Sequence, residues 1–247
     1  MYYEIHGKGS PMVLIHGGGS TLHTSFGSIL PELAKERLVI GVELQGHGHT
    51  TDRAGAESFE QDADDVAALL RQLGISRADL FGFSNGGNTA LQVAIRHPGL
   101  VRKIIVASSF YKKSGMYSWF WKAMEKTCLE NLPFVYQQAF LRINPNPEAL
   151  RNMHDKDAAR MKTFTDWPED LLRAIANPVL VVIGDEDIVT IEHAVAMYRV
   201  FPYARLAILP GNHGSYMGEA MSWDQDSKIP VLFTALVEEF LAVPMPE

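Results

Sequence analysis

The chain passes from a strand pattern to a helical pattern within eight residues, Leu80-Phe81-Gly82-Phe83-Ser84-Asn85-Gly86-Gly87. Apolar residues come first, a Gly-x-Ser-x-Gly motif follows, and helical spacing begins directly afterwards. A serine between a buried strand and a helix lies on a tight turn whose backbone is strained. Gly82 and Gly86 are then required, because a Cβ atom at either position would collide with the neighbouring strand or helix.

Strand and helix patterns alternate on both sides of this turn. The predicted strands cover residues 12–15, 38–44, 79–83, 103–107, 178–183 and 205–209. The predicted helices cover residues 26–34, 58–73, 88–96, 191–200 and 230–241. This alternation predicts an α/β fold with a mostly parallel central sheet and helices on both faces.

The middle of the chain breaks this rhythm. Residues 110–172 show helical segments interrupted by prolines and no convincing strand, and nine of the 24 aromatic residues fall between positions 110 and 140. We therefore predict a core domain of residues 1–109 and 173–247, with residues 110–172 inserted as a helical cap. Most of the rings are expected to form the core of the cap. Since a cap has to face the serine to exclude water, four are predicted to line a substrate pocket: Trp119, Phe120, Tyr136 and Phe140.

The composition excludes several classes of protein. A net charge of −7 and the absence of a lysine- or arginine-rich stripe argue against nucleic acid as a partner. The one cysteine, Cys128, cannot form an internal disulfide, and no Cys/His cluster has zinc spacing. No apolar run reaches membrane-spanning length, and the N-terminus lacks a signal-peptide pattern. We expect a cytoplasmic protein that acts on a small molecule, without cofactor, metal or membrane partner.

Two further strands end in residues that could activate the serine. A serine hydroxyl is a weak nucleophile unless a base removes its proton, and the base needs a third group to orient it. One strand runs into Gly184-Asp185-Glu186-Asp187, and the next runs into Asn212-His213-Gly214. In a parallel sheet these ends lie along one edge, where ligands bind. His213 is the one histidine of nine that follows a late strand, whereas each of the three acidic residues could be its partner.

These motifs, together with His16-Gly17-Gly18-Gly19 and Gly46-His47-Gly48, resemble those of the α/β-hydrolase fold superfamily. The likeness is to capped serine esterases, lactonases and haloperoxidases, and it covers nearly the whole chain. It implies Ser84 as nucleophile, His213 as base and Asp187 as the acid, because the family pattern places the acid three residues after the glycine. Ser108 and Ser109 stand where some relatives carry the acid instead.

The resemblance also implies an oxyanion hole formed by the backbone amides of Gly18 and Asn85. Gly19 is an alternative donor to Gly18, because three consecutive glycines leave the register of the loop open. His16 belongs to the turn that positions the Gly18 amide, so the resemblance implies a structural role for it. His47 and His49 are expected to shape their own loop.

The predicted activity is hydrolysis of an ester, thioester or lactone with a mainly apolar group, through an acyl-enzyme on Ser84. Two alternatives remain at this point. A carbon–carbon bond hydrolase of ring-cleavage products would use the same three side chains and often carries a His-Gly-Gly-Gly loop. A hydrolase-like ligand receptor would keep them with little turnover.

Overall fold

Seven strands form one sheet in the computed structural model, which describes residues 1–222 and 226–244. In chain order they are β1 (Tyr2–His6), β2 (Ser10–Ile15), β3 (Arg37–Glu43), β4 (Ala78–Phe83), β5 (Val101–Ala107), β6 (Val179–Gly184) and β7 (Ala204–Leu209). Across the sheet the order is β1-β3-β2-β4-β5-β6-β7. The pair β1 and β3 is antiparallel, and all other neighbouring pairs are parallel. The predicted mostly parallel sheet is confirmed.

Ten α-helices connect or flank these strands in the described part of the chain. They are α1 (Leu22–Phe26), α2 (Leu30–Glu36), α3 (Phe59–Gln72), α4 (Asn85–Arg96), α5 (Ser118–Glu125), α6 (Phe134–Ile143), α7 (Pro147–Thr163), α8 (Glu169–Arg173), α9 (Ile191–Val200) and α10 (Ile229–Ala242). None of these helices is both long and apolar enough to cross a lipid bilayer.

The structure differs from the predicted elements at the N-terminal end. The single helix predicted over residues 26–34 is two helices, because α1 ends at Phe26 with Gly27 as its C-cap. Pro31, in the first turn of α2, fits the start of a second helix. Strand β1 was not predicted at all. It is an edge strand whose residues alternate between partly buried and exposed, so it lacks a run of apolar residues.

Helices cover both faces of the sheet, and strands β2 to β7 supply side chains to both cores. In β2, Val13 and Ile15 pack on the side of α3, α4 and α9, while Met12 and Leu14 pack on the side of α1, α2 and α10. This alternation is the period of two that a strand dictates. The prediction of helices on both faces is confirmed.

The helical insert, residues 110–172, lies between β5 and β6 and contains α5, α6, α7 and most of α8. Phe164, Trp167 and Leu172 belong to the same apolar cluster as α3 and α4. A separate small core lies inside the insert, where Phe140 packs with two side chains of α7. The end of the insert therefore packs against the sheet unit.

The turn after β4 depends on two close approaches of backbone to backbone. A Cβ atom on Gly82 would overlap the carbonyl oxygen of Gly86, and one on Gly86 would overlap the carbonyl oxygen of Ile15. Between them Ser84 has a φ of 52° and a ψ of −121°, outside the regions that side-chain-bearing residues favour. The collision and the strained backbone predicted from the sequence are both present.

Replacing Gly86 by alanine is expected to lower the free energy of unfolding by about 1–3 kcal/mol, because the new methyl group forces the backbone of α4 away from β2. Gly99→Ala is the matched control, since a Cβ atom there has no neighbour within 4 Å. Urea unfolding followed by circular dichroism measures both variants. Equal midpoints for the two proteins would contradict the packing argument.

Candidate active site

Ser84 lies between β4 and α4 with its hydroxyl uncommitted to the helix. Its backbone amide donates to the carbonyl of Ala107 at 2.8 Å, which ties the turn to the end of β5. Ser84 occupies the N-cap position of α4, yet its side chain makes no capping hydrogen bond. A role as helix cap therefore does not account for this serine. The hydroxyl is available for chemistry at the edge of the sheet.

His213 and Asp187 meet at the same edge. The Nδ1 atom of His213 lies 2.7 Å from Oδ1 of Asp187, and because a carboxylate only accepts, the imidazole donates. Asp185 instead accepts from the amide of Gly211, and Glu186 is exposed. Among the three acidic residues of this loop, Asp187 is the one that contacts the histidine in the described structure.

The carboxylate of Asp187 is held by several donors. Its Oδ1 also accepts from the amide of Val189 at 3.2 Å, and its Oδ2 accepts from the amide of Gly184 at 3.2 Å. Burial alone would raise the pKa of Asp187, but the neighbouring imidazole and these hydrogen bonds hold it below its usual value. The group is therefore an ionised, fixed acceptor for His213.

Ser108 and Tyr216 complete this arrangement, and sequence analysis did not identify their role. The Ser108 hydroxyl donates to Oδ2 of Asp187, so the Tyr216 hydroxyl, 2.7 Å away, has to donate to Ser108. Ser108 directly follows β5, between β4 and β6 in the sheet. Its position at a strand end was the available signal, but the strand order was needed to place it beside Asp187.

Ser84 and His213 line one cavity of about 590 Å³. The His213 ring packs against Phe83, with ring centroids 4.8 Å apart. Since Nδ1 is bound to Asp187, the opposite nitrogen, Nε2, is the free acceptor of the neutral ring. No hydrogen bond joins the Ser84 hydroxyl to this nitrogen within the described residues. Such bonds are often long in the absence of substrate and shorten when it binds.

The amides of the glycine-rich loop have different partners. The amide of Gly17 donates to the Ser25 hydroxyl at 3.2 Å, and the amide of Gly19 donates to Oδ2 of Asp157 at 2.5 Å. In the part of the chain that the structure describes, the Gly18 amide has no such partner. Gly18 also lies against the side chain of Asn85, so the loop and the first turn of α4 are in contact. The commitment of Gly19 to Asp157 favours Gly18 as the free donor.

His16 joins the glycine-rich loop to the loop that follows β3. Its Nδ1 donates to the carbonyl of Gly17 at 2.7 Å, and its Nε2 accepts from the amide of Leu44 at 3.0 Å. Burial and the positive charge of neighbouring His47 lower the pKa of His16 to about 3. This ring is therefore a neutral bridge between two loops.

The helical insert provides one wall of the cavity. Three of the four rings predicted for the substrate pocket line this cavity: Trp119, Phe120 and Tyr136. Phe140 does not: it is buried inside the insert, because α7 covers that turn of α6. The prediction that Phe140 lines the pocket is therefore wrong. The Tyr136 hydroxyl donates to Glu219 at 2.7 Å and thereby joins the insert to the loop that follows His213.

The cavity is mostly apolar and contains no lysine or arginine among its described lining residues. Its walls include four methionines, flexible side chains that adapt to irregular shapes: Met116, Met124, Met161 and Met221. Asp157 is its one carboxylate. Within residues 1–222 and 226–244, no group of three or more His, Cys, Asp or Glu side chains could hold a metal ion.

Curated relatives of this chain include hydrolases of different bonds. The 2-hydroxymuconate semialdehyde hydrolase of Pseudomonas sp. (strain CF600) is 39% identical over 107 residues, which span 42% of this chain and 38% of that protein. The chain thus matches only about two fifths of the length of that relative. The pimeloyl-[acyl-carrier protein] methyl ester esterase of Nitrosospira multiformis is 28% identical and matches 85% of this chain and 89% of that protein.

The fold is shared with solved hydrolase structures. A thermophilic esterase from Thermogutta terrifontis superposes with a TM-score of 0.75 at 24% identity, over 97% of this chain and 92% of that chain. The sequence model of the alpha/beta hydrolase fold matches residues 10–151, more than half of this chain. That match includes β2 with the glycine-rich loop, the Ser84 turn and most of the insert. The chain therefore belongs to the family of proteins with the α/β-hydrolase fold.

Proposed function

We propose that this protein hydrolyses an ester, thioester or lactone that is neutral and carries a mainly apolar group. The observation that carries this proposal is that His213, hydrogen-bonded to Asp187, lines one cavity with the left-handed Ser84. A nucleophile, a base and an orienting carboxylate at one sheet edge are the requirements for acyl transfer through a covalent intermediate.

In the proposed mechanism the Ser84 oxygen attacks the substrate carbonyl carbon while Nε2 of His213 takes the hydroxyl proton. Asp187 stabilises the resulting imidazolium through Nδ1. The carbonyl oxygen becomes an oxyanion and accepts hydrogen bonds from the amides of Gly18 and Asn85. The tetrahedral intermediate then expels the alcohol or thiol, which receives the proton from His213. Water repeats these steps on the acyl-enzyme with His213 as base.

Two features support Gly18 and Asn85 as the oxyanion donors. The amide of Asn85 opens α4, where helix amides lack intrahelical partners and the helix dipole favours negative charge. The Gly19 amide, the alternative donor, is occupied by Asp157. We propose that the helical insert acts as a cap that keeps water from these groups, with Trp119 and Phe120 among its substrate contacts.

The alternative is hydrolysis of a carbon–carbon bond in a ring-cleavage product, since one relative is a 2-hydroxymuconate semialdehyde hydrolase. A muconate is a carboxylate, and burying it requires a cationic partner. The described cavity lining offers neither lysine nor arginine for that purpose. Its two histidines are His213, the proposed base, and His154, whose Nδ1 faces the carboxylate of Asp155. The lack of a permanent cation favours a neutral substrate.

Replacing Ser84 by alanine is expected to lower kcat for p-nitrophenyl butyrate by about 10³-fold or more, because the covalent route is lost. Release of p-nitrophenol by the purified protein measures this, with the exposed Ser76→Ala as control. Many turnovers per chain in the native protein are expected. A single covalent event without turnover would instead identify a ligand receptor.

Asp187→Asn is expected to reduce kcat by about 10³- to 10⁴-fold, because the amide no longer fixes the imidazole tautomer or stabilises the imidazolium. Glu186→Gln removes an exposed carboxylate of the same loop and should leave kcat within twofold. Steady-state kinetics on the same ester distinguish the two variants. A larger loss in Glu186→Gln than in Asp187→Asn would assign the acid to Glu186.

Substrate charge provides a third test. We expect kcat/KM for p-nitrophenyl valerate to exceed that for p-nitrophenyl hydrogen glutarate by at least about 10-fold, because the described cavity lining has no lysine or arginine to neutralise the added carboxylate. The two esters have matched chains and differ at the terminal group. The comparison uses initial rates after subtraction of uncatalysed hydrolysis. Equal or faster turnover of the glutarate ester would favour the alternative with an anionic substrate.

A further inference from the structure

Asp157 joins the helical insert to the glycine-rich loop. It lies on α7 and is buried, 7% exposed. Its Oδ2 accepts from the Gly19 amide at 2.5 Å and from Nε2 of His47 at 3.0 Å, and its Oδ1 accepts from Arg160. Two of these partners belong to loops of the sheet unit. A side chain of the insert therefore touches the loop that carries the proposed oxyanion donor.

His47 is a buried cation in this arrangement. Its Nε2 faces the carboxylate of Asp157, and its Nδ1 faces the carbonyl oxygen of Gln45 at 2.8 Å. Neither partner can donate a hydrogen bond, so both ring nitrogens must carry protons. Burial alone would lower the pKa of His47, but the charge of Asp157 outweighs it and raises the pKa to about 9.

Arg160 holds the other side of the same carboxylate. Its Nη2 donates to Asp157, and its Nη1 donates to Asp62 of α3 at 2.7 Å and lies 3.8 Å from Glu57. The guanidinium lies 4.7 Å from the centre of the Phe59 ring. Burial raises the pKa of Glu57 to about 7 and also raises the pKa of Asp62. The pKa of Asp157 is instead held below its usual value, because the charges of Arg160 and His47 outweigh its burial. The Asp157 carboxylate is thus fixed from two directions.

Stability alone does not account for these buried charges. The cost of removing ions from water usually cancels their attraction, and apolar side chains of similar volume would hold the insert at least as well. The charges fix the orientation of the Asp157 carboxylate, so that one of its oxygens accepts from the Gly19 amide. Gly19 has a left-handed φ of 64°, and fixing its N–H fixes the peptide plane that contains the Gly18 carbonyl. The Gly18 N–H belongs to the preceding peptide, whose carbonyl, on Gly17, accepts from His16. Asp157 and His16 thus hold the two peptides that meet at the Cα atom of Gly18.

We propose that Asp157 is a positioning residue that holds the glycine-rich loop so that the Gly18 amide points at the developing oxyanion. This inference rests on the proposed function, in which Gly18 stabilises that oxyanion. Donors of this kind accelerate the reaction only when they are oriented in advance. Asp157 acts through Gly19. Its own role is to keep the peptide between residues 18 and 19 in one orientation.

The test compares Asp157→Asn with Glu148→Gln, which neutralises an exposed carboxylate of the same helix. We expect Asp157→Asn to lower kcat for p-nitrophenyl butyrate by about 10- to 100-fold, a part of the 10²- to 10³-fold loss for a missing oxyanion donor. KM should change less than about threefold. Glu148→Gln should retain kcat within twofold. A folded Asp157→Asn protein with native kcat would overturn the proposal.

Asp157→Glu covers the case in which the asparagine variant does not fold. It keeps the charge that balances Arg160 and His47 but displaces the carboxylate by one methylene. The expected result is again a lower kcat with little change in KM. Native kcat in this variant would refute the positioning role.

Hydrogen exchange of the glycine amides separates this inference from the proposed function. In protein labelled with ¹⁵N-glycine, the Gly19 amide should exchange at least 10-fold faster in either Asp157 variant than in the native protein. Unchanged Gly19 exchange in both variants would contradict the proposal even if kcat fell. If Ser84→Ala kept native turnover, the proposed function would fail, whereas faster Gly19 exchange would still show that Asp157 fixes the loop.

Discussion

Close packing of backbone on backbone at Gly82 and Gly86 is the constraint on which the site depends. Because neither glycine carries a Cβ atom, β4 and α4 can approach one another closely. This approach leaves Ser84 on a left-handed turn between them. The same approach brings the start of α4 against the end of β2, so that the glycine-rich loop lies beside the serine. The parallel order of the strands then places the loops that carry Asp187 and His213 along the same edge. The strand order and the backbone packing thus set the positions of these residues, and their polar contacts then fix the side chains.

Two carboxylates flank the proposed reaction centre, and they are satisfied in different ways. Asp187 accepts from an imidazole, two backbone amides and the hydroxyl of Ser108, so it can stabilise a positive charge that develops on His213. Asp157 faces two cations that are already present, His47 and Arg160. Asp187 can therefore stabilise the imidazolium as it forms on His213. The charges that surround Asp157 stay the same throughout the proposed reaction. In the proposed mechanism one carboxylate serves the base and the other the geometry of the oxyanion hole.

Much of the fold could be predicted because its signals are local. Apolar runs that end in glycine-rich or acidic loops marked the strands, and the order of serine, acidic loop and histidine followed from those strand ends. The choice of Asp187 within that loop came from the family resemblance. Asp157 could not be found this way, since α7 is rich in charged residues and resembles a solvated helix, and its contact with Gly19 spans 138 positions. Phe140 was misplaced because an aromatic residue on an amphipathic helix can face a pocket or an internal core, and only the packing of α7 decides between them. Strand β1 was missed because half-exposed edge strands carry little apolar pattern.

The burial of Arg160 among Asp62, Glu57 and Asp157 bears on how such a protein can diversify. If recombination replaced the insert with one from a relative lacking this arginine, Asp62 of α3 would stay buried without its counterion, a severe penalty. An exchange of the insert would therefore have to retain Arg160 or replace Asp62 together with it. Single substitutions in the cavity wall, at positions such as Met124 and Met221, would leave this buried cluster of charges intact.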